Sequence, residues 1–287
     1  MPNQEKSVDQ VTEIRRRRVY LLPNLLTTAS LFCGFYSVVA ANHSQFINAA
    51  IAIFTAMILD GLDGRVARMT NSQSEFGKQY DSISDMVCFG VAPSLVIYEW
   101  SLTTLTQYGE IWGKIGWLTA FVYTVCAALR LARFNAQSDF VDKSFFVGLA
   151  SPMAAATIAG FVWLAGDLEL SGESLTMVAV SVVLTLGAGV LMVSNLRYHS
   201  FKGIERINQV SFITIVLIVL TITAILVVPP YILFGIAIIY ALSAPVRALI
   251  SLKRCRECDE ESEAPDGGKD MSEGDNQEGG GNQENPS

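Results

Sequence analysis

Residues 45–68 read QFINAAIAIFTAMILDGLDGRVAR, an apolar run that ends in aspartate, glycine and arginine. A helix of about twenty such residues crosses the hydrocarbon core of a bilayer, which is about 30 Å thick. Several more runs of similar length follow, and the 287 residues are 51% hydrophobic and only 16% charged. A soluble domain averages about 25% charged residues. The composition therefore predicts an all-α polytopic membrane protein and excludes a soluble Rossmann or barrel domain.

The apolar runs predict eight transmembrane helices. Their approximate limits are 19–40, 45–64, 83–100, 112–131, 147–165, 175–193, 209–228 and 230–250. If the N-terminus is inside, the inner segments hold 19 of the 20 lysine and arginine residues, and only Lys114 lies outside. Because basic residues concentrate in cytoplasmic loops, this asymmetry predicts that both termini are cytoplasmic.

Four aspartates stand where the second and third predicted spans meet. Asp60 and Asp63 are three residues apart on one helix face, and Asp81 and Asp85 are four apart on the next. A helical hairpin would bring the two pairs together at the cytoplasmic boundary of the membrane. Carboxylates in a partly apolar site repel one another unless cations neutralise them, and Mg²⁺ and Mn²⁺ prefer oxygen ligands. The pattern predicts a site for two such ions, which can clamp a diphosphate.

Two other interpretations of the four aspartates stay open. They could be ordinary interfacial charges at helix ends, or the cation site of an ion transporter. Gly64 and Gly77 favour the diphosphate site, because a residue without a side chain lets a backbone or nucleotide approach closely. Arg68 lies one turn beyond Gly64 and can reach a phosphate.

The stretches DGLDGRVAR at 60–68 and GKQYDSISD at 77–85 resemble, at each defined position, the signature of the CDP-alcohol phosphatidyltransferases. Four further stretches resemble members of this family that use L-serine as the acceptor: 22–27, 31–35, 130–135 and 194–198. The resemblance implies the helical fold of that family and transfer of a phosphatidyl group from CDP-diacylglycerol to L-serine, with release of CMP. Glycerol phosphate and inositol stay open as alternative acceptors.

The resemblance also implies a role for each matching residue. Asp60, Asp63 and Asp81 would bind two divalent cations, Mg²⁺ or Mn²⁺, and Asp85 would be both a metal ligand and the catalytic base. The residues that would contact the CDP-lipid are Asn24, Gly64, Ala67, Arg68, Ser74 and Gly77.

The residues expected to bind serine lie at the inner end of the fourth predicted span. They are Arg130, Arg133 and Asn135. Arg130 and Arg133 are three residues apart and could share a helix face, so one of them could bind the serine carboxylate through two parallel hydrogen bonds. Arginines at this depth could equally be boundary charges or bind lipid headgroups. We expect these three residues to bind serine and keep the boundary interpretation as the alternative.

The chain is expected to have three parts: a basic cytoplasmic segment over 1–18, a transmembrane catalytic domain over 19–250 and an acidic cytoplasmic tail over 251–287. Residues 257–287 contain eleven acids and one base, and they account for the net charge of −7 on an otherwise mildly basic chain. Such a composition is typical of disorder. The resemblance further implies a homodimer. We expect the protein in the bacterial inner membrane, with its active site on the cytoplasmic side and no nucleic-acid partner.

Overall fold

The computed structural model describes residues 2–70, 72, 74–137, 145–199 and 212–262. The described elements, in chain order, are α1 (Pro2–Asn42), α2 (Phe46–Met69), α3 (Glu75–Asp85), a π-helical turn (Met86–Val91), α4 (Ala92–Trp100), a 3₁₀ helix (Leu102–Tyr108), α5 (Glu110–Gln137), β1 (Phe145–Val147), α6 (Ser151–Asp167), α7 (Leu175–Val193), β2 (Arg197–His199), α8 (Phe212–Val227) and α9 (Pro229–Ser262). The chain divides into two units, with the boundary between Ala248 and Leu249.

Six described helical segments are long and apolar enough to cross a membrane. They are Leu22–Asn42, Phe46–Met69, Glu75–Trp100, Glu110–Ala136, Leu175–Val193 and Pro229–Ala248. The third segment joins α3, the π-helical turn and α4, so it begins eight residues before the predicted start at 83. The protein is an integral, multi-pass membrane protein.

The remaining two predicted spans correspond to α6 and α8. Helix α6 has 17 residues, whereas a helix that crosses the bilayer core needs about 20. Helix α8 has 16 described residues, and residues 209–211 at the start of its predicted span lie outside the described residues. The backbone is helical from Pro2, through the predicted basic segment, and remains helical to Ser262, within the predicted tail. Residues 263–287 of the predicted tail lie outside the described residues.

Small side chains allow α1 and α2 to pack closely. Two serines of α1 cross the interface, since Ser30 Oγ donates to the carbonyl of Ala56 and Ser37 Oγ donates to that of Ala49, each at 2.9 Å. Ala49 and Ala56 are fully buried. Small residues and hydroxyl groups are typical of helix contacts inside membranes, where close backbone approach and hydrogen bonds replace the hydrophobic effect.

Large apolar side chains cover much of the outside of the bundle. Phe32, Ile58 and Val183 are each more than half exposed, whereas the interior contains alanines and a few large residues such as Tyr123 and Phe89. An exterior of this kind suits lipid rather than water, because a water-soluble monomer does not expose so much contiguous apolar surface.

The expected all-α fold is confirmed, and one short β-ladder joins two of its connecting segments. Strands β1 and β2 are antiparallel, with Phe146 opposite Tyr198. Gly148 follows β1 with a φ of 83°, and a Cβ at this position would collide with the carbonyl oxygen of Met192. The ladder forms because the chain leaves α5 and α7 at the same end of the bundle, where two extended segments satisfy each other's backbone groups.

Candidate active site

The segment between α2 and α3 is a short, capped turn. Helix α2 ends at Met69, and Thr70 Oγ1 lies 2.7 Å from the Oγ of the buried Ser72. Ser74 begins α3 as its N-cap, since Ser74 Oγ accepts a hydrogen bond from the N–H of Gly77 at 3.0 Å. A serine in this position satisfies one of the free donors of a helix start. The turn brings the carboxylates of α2 and α3 toward one another.

The aspartates of the two helices come together as the spacing predicts. Asp60, Asp63 and Asp81 each offer one carboxylate oxygen, and these atoms all lie within 4.8 Å of one another. Asp85, one turn beyond Asp81, interacts electrostatically with the other three aspartates. Carboxylates that lie close together repel one another when ionised, unless a proton or a cation lies between them. The four side chains therefore form one acidic group, of which three members have the spacing of a metal site.

Burial makes this acidic group unusual. Asp63 is only 4% exposed, and the Oδ1 atoms of Asp81 and Asp85 are buried with no hydrogen-bond partner. Within the described part of the chain, none of the four carboxylates forms a salt bridge. Buried oxygens without partners destabilise a fold unless a ligand satisfies them. An all-carboxylate donor set with free oxygens fits a hard divalent cation, which binds oxygen ligands.

Helix α1 supplies a partner for one aspartate. Thr27 Oγ1 lies 2.6 Å from Asp63 Oδ2 and 3.1 Å from the carbonyl oxygen of Pro23. Thr27 is 4% exposed. Since a hydroxyl has a single hydrogen, the two contacts compete for it, and donation to Asp63 leaves the other Asp63 oxygen to point elsewhere.

Three of the residues expected to contact the CDP-lipid meet at the start of α3. A Cβ added to Gly77 would lie 3.2 Å from Ser74 Oγ and 3.3 Å from Asn24 Oδ1. The glycine therefore allows Asn24 of α1 to approach the first turn of α3. Ser74 already serves as the N-cap of α3, which leaves its oxygen one further lone pair.

The other three lie on the last turns of α2. No heavy atom stands within 4 Å of where a Cβ on Gly64 would be, so the helix surface is open there. Arg68 Nε donates to the Gly64 carbonyl at 3.1 Å, and the side chain is exposed. Ala67 is partly buried. Among the described residues, no hydrogen bond joins these three to Asn24.

Two of the three residues expected to bind serine also lie close to the aspartates. Arg130 Nη1 donates to Ser151 Oγ, at the start of α6, at 2.6 Å. Arg130 also interacts electrostatically with Asp85, and its Nε is buried with no hydrogen-bond partner. Asn135 Nδ2 donates to Ser82 Oγ of α3 at 3.0 Å. A guanidinium with a free donor can still bind an anion.

Arg133 differs from Arg130. It is partly buried, and in the described part of the chain its side chain forms no hydrogen bond or salt bridge. An open pocket of about 340 Å³ lies between α3, the π-helical turn and α5, and Ser82 and Asn135 supply polar groups in a lining that is otherwise mainly apolar. Arg133 does not line this pocket.

Comparison with known sequences identifies the family of the chain. Residues 20–193 match the sequence profile of the CDP-alcohol phosphatidyltransferases. The chain belongs to this family. Its relatives include the CDP-diacylglycerol–serine O-phosphatidyltransferase of Helicobacter pylori (strain ATCC 700392 / 26695), which is 39% identical over 187 residues, or 65% of this chain and 75% of the relative.

Two further relatives of this chain have the same name as the Helicobacter pylori protein. The CDP-diacylglycerol–serine O-phosphatidyltransferase of Mycobacterium leprae (strain TN) is 30% identical over 236 residues, which cover 80% of this chain and 75% of the relative. That of Bacillus subtilis (strain 168) is 31% identical over 181 residues, covering 63% of this chain and 91% of the relative.

The CDP-alcohol phosphatidyltransferase match covers the acidic group and the elements that contact it, from α1 to α7. Three residues in this region were missed from the sequence: Thr27, Tyr123 and Ser151. Each is a polar residue in or beside an apolar run, and nothing in the local spacing marks it. Their contacts are across helices, to Asp63, Phe89 and Arg130.

Proposed function

We propose that this chain transfers the phosphatidyl group of CDP-diacylglycerol to the hydroxyl of L-serine and releases CMP. One observation carries the proposal: Asp60, Asp63 and Asp81 bring carboxylate oxygens within 4.8 Å of one another in a partly buried group, and Asp81 has a buried oxygen without a partner that fits a divalent cation. The names of the relatives support CDP-diacylglycerol and serine as substrates.

Asp60, Asp63, Asp81 and Asp85 would hold two divalent ions, Mg²⁺ or Mn²⁺. When bound, such ions neutralise the charge of a diphosphate and of the departing phosphate group. Asn24, Ser74 and Gly77, at the start of α3, would contact the CDP-lipid on one side of the acidic group. Gly64, Ala67 and Arg68 would contact it from the end of α2, where the helix surface is open.

Asp85 would act as the base. A serine hydroxyl is a poor nucleophile near neutral pH, and a carboxylate beside it can accept its proton as the new P–O bond forms. The serine oxygen attacks the lipid-side phosphorus, and the bond from that phosphorus to the bridging oxygen breaks, so the electron pair leaves with CMP. No covalent intermediate on the protein is needed.

Arg130, Arg133 and Asn135 would orient the serine. The free Nε of Arg130 and its proximity to Asp85 make it the best placed of the three to bind the carboxylate while the hydroxyl faces the base. Asn135 is held toward α3 by Ser82 and could accept from the serine ammonium through its amide oxygen.

The proposal includes a membrane arrangement. We propose eight transmembrane helices, α6 and α8 among them, with both termini in the cytoplasm and the aspartates on the cytoplasmic side of the bacterial inner membrane. The distribution of lysine and arginine supports this orientation. The chain would consist of the basic segment 1–18, the catalytic domain 19–250 and the acidic tail 251–287, and it would act as a homodimer, as the family resemblance implies.

The purified protein can test the reaction directly. It would be incubated with CDP-diacylglycerol, Mg²⁺ or Mn²⁺, and L-serine, glycerol 3-phosphate or inositol in turn, and CMP release would be measured. Release that depends on L-serine is expected. Release only with another alcohol would move the protein to a different acceptor. No CMP release, together with cation flux through liposomes, would replace the transferase with a transporter.

A further inference from the structure

The third membrane-spanning helix changes its winding directly after Asp85. Over Met86–Val91 it is π-helical, and the N–H of Ala92 donates to the carbonyl of Val87, five residues back rather than four. Such turns are rare and occur often at functional sites. One extra residue in a helix rotates everything beyond it by about 100°. The turn therefore sets how Asp81 and Asp85 are rotated relative to the rest of the span.

A proline leaves one carbonyl of this turn without its usual donor. Residue 93 lies in α4, where the winding is α-helical again, and its N–H would donate to the carbonyl of Phe89, four residues back. Residue 93 is proline, however, and has no N–H. Tyr123 of α5 replaces that donor, since its hydroxyl donates to the Phe89 carbonyl at 3.0 Å. Both residues have no exposed surface. A buried carbonyl without a partner would be costly in a membrane protein.

The same solution occurs once more among the described residues. Tyr198 of β2 donates its hydroxyl to the carbonyl of Ala241 at 3.0 Å, and the residue four positions after Ala241 is Pro245, inside α9. Tyr198 also has no exposed surface. The local chemistry of the two tyrosines is therefore matched, but only the span that Tyr123 contacts carries aspartates of the acidic group.

Other contacts hold the π-helical turn against its neighbours. Cys88 Sγ donates to the carbonyl of Ser30 of α1 at 3.3 Å, and a Cβ on Gly34 would meet Cys88 Sγ at 2.6 Å. On the α5 side, a Cβ on Gly90 would lie 3.3 Å from the Cβ of Ala127. The turn is thus packed between α1 and α5, and the hydroxyl of Tyr123 gives it a directional bond to α5.

We propose that Tyr123 is a positioning residue of the active site: its hydrogen bond to the Phe89 carbonyl fixes the π-helical turn and thereby directs Asp81 and Asp85 toward Asp60 and Asp63. This inference rests on the proposed transfer reaction for its kinetic test. Tyr123 touches none of the reacting groups and acts through the backbone of the helix that carries the base.

The test compares Tyr123→Phe with the matched control Tyr198→Phe, each of which removes one hydroxyl. With saturating substrates and divalent ion, Tyr123→Phe should lower kcat by about ten- to a hundredfold, as expected when a catalytic group is misplaced. The KM values for serine and CDP-diacylglycerol should change by a smaller factor than kcat, because neither substrate touches Tyr123. Tyr198→Phe should leave kcat near wild type.

Equal loss of kcat in the two variants, or unchanged kcat in Tyr123→Phe, would overturn the assignment. If the wild-type protein releases no CMP, the proposed function is contradicted. The role of Tyr123 would then be decided by hydrogen exchange alone. Amide hydrogen exchange without divalent ions needs no activity. It should be faster across residues 86–94 in Tyr123→Phe and unchanged there in Tyr198→Phe. Unchanged exchange across 86–94 in Tyr123→Phe would also overturn the assignment.

A second variant restores a donor from the backbone. Pro93→Ala returns an N–H to residue 93, so the Tyr123→Phe change should lower kcat by a smaller factor in this background than in the wild type. If Tyr123→Phe alone does not fold, recovery of folded protein in the double variant is the corresponding rescue. An equal factor in both backgrounds, or no recovery, would overturn the role of the Phe89 carbonyl.

Discussion

The acidic side chains at the two ends of the helical bundle differ in burial and in their partners. At the end where α2 meets α3, Asp63 is buried and the Oδ1 atoms of Asp81 and Asp85 have no partner. At the opposite end, where α5 begins, Glu110 forms a salt bridge with Lys114 at 2.7 Å, and both side chains are largely exposed. An exposed pair of this kind contributes at most about 1 kcal/mol to stability.

The contrast indicates which acids serve the fold and which serve a ligand. Buried carboxylate oxygens without partners lower stability, so a sequence selected for folding alone would pair or remove them. In a membrane protein, ionisable groups inside the bundle usually bind ions or substrates. Removal of metal ions or of a carboxylate charge at the aspartate end should therefore change the activity, and removal of the carboxylate charge of Glu110 should not.

The largest effect is expected from removing divalent ions. Chelation should abolish CMP release, and added Mg²⁺ or Mn²⁺ should restore it, because the proposed diphosphate site depends on them. Asp63→Ala should weaken metal binding, measured by calorimetry on the purified protein. Full activity after exhaustive chelation would remove the metal from the proposal and would leave the buried aspartates without a ligand.

The next largest effect is expected for Asp85→Asn. The amide keeps the size of the side chain and one oxygen but cannot accept the serine proton, so kcat should fall by roughly a hundred- to ten-thousandfold. Binding of the CDP-lipid, measured with a labelled substrate, should be largely preserved.

Glu110→Gln is the matched control from the other end of the bundle. It neutralises an exposed carboxylate in the same conservative way and should leave kcat near wild type. Near-normal turnover in Asp85→Asn would exclude Asp85 as the base. A large decrease of kcat in Glu110→Gln would show that acidic residues at both ends of the bundle contribute to the reaction.

A smaller effect distinguishes the two arginines of α5. Lysine keeps the positive charge but lacks the planar fork that binds a carboxylate through two hydrogen bonds. Loss of a charge-assisted hydrogen bond of about 1.5–3 kcal/mol should raise the serine KM of Arg130→Lys roughly ten- to a hundredfold, and the KM for CDP-diacylglycerol should change less.

Arg133→Lys should raise the serine KM by a smaller factor, because Arg133 lacks the contacts that direct Arg130 toward Ser151 and Asp85. Steady-state kinetics at fixed CDP-diacylglycerol would measure both variants. If neither variant changes the serine KM, the boundary-charge interpretation holds for this helix end. A larger effect in Arg133→Lys would reverse their order.

The smallest effect is expected from deleting residues 263–287. The sequence of this segment is polar and acidic and has too little apolar content to pack against the bundle. The kcat and both KM values should match those of the full chain at equal protein concentration. A large decrease in kcat would show that the acidic segment contributes to the reaction.

The sequence alone predicts most of the helices and the acidic group. Apolar runs near twenty residues identify membrane helices because few other structures satisfy backbone groups in lipid. The run at 147–165 became the 17-residue α6, because loops and caps at helix ends decide where a helix stops. The β-ladder was not predicted, because three-residue strands have no periodic pattern to detect.

The pairing of Asp60 and Asp63 with Asp81 follows from local spacing, because i, i+3 and i, i+4 residues share a face and a hairpin joins the two helices. The contacts of Thr27 with Asp63, Tyr123 with Phe89 and Arg130 with Ser151 were decided only by the tertiary structure. Their partners lie 36, 34 and 21 residues apart in sequence. Such contacts depend on how each helix is rotated and crossed against its neighbours, which side-chain packing fixes and the spacing within one helix does not.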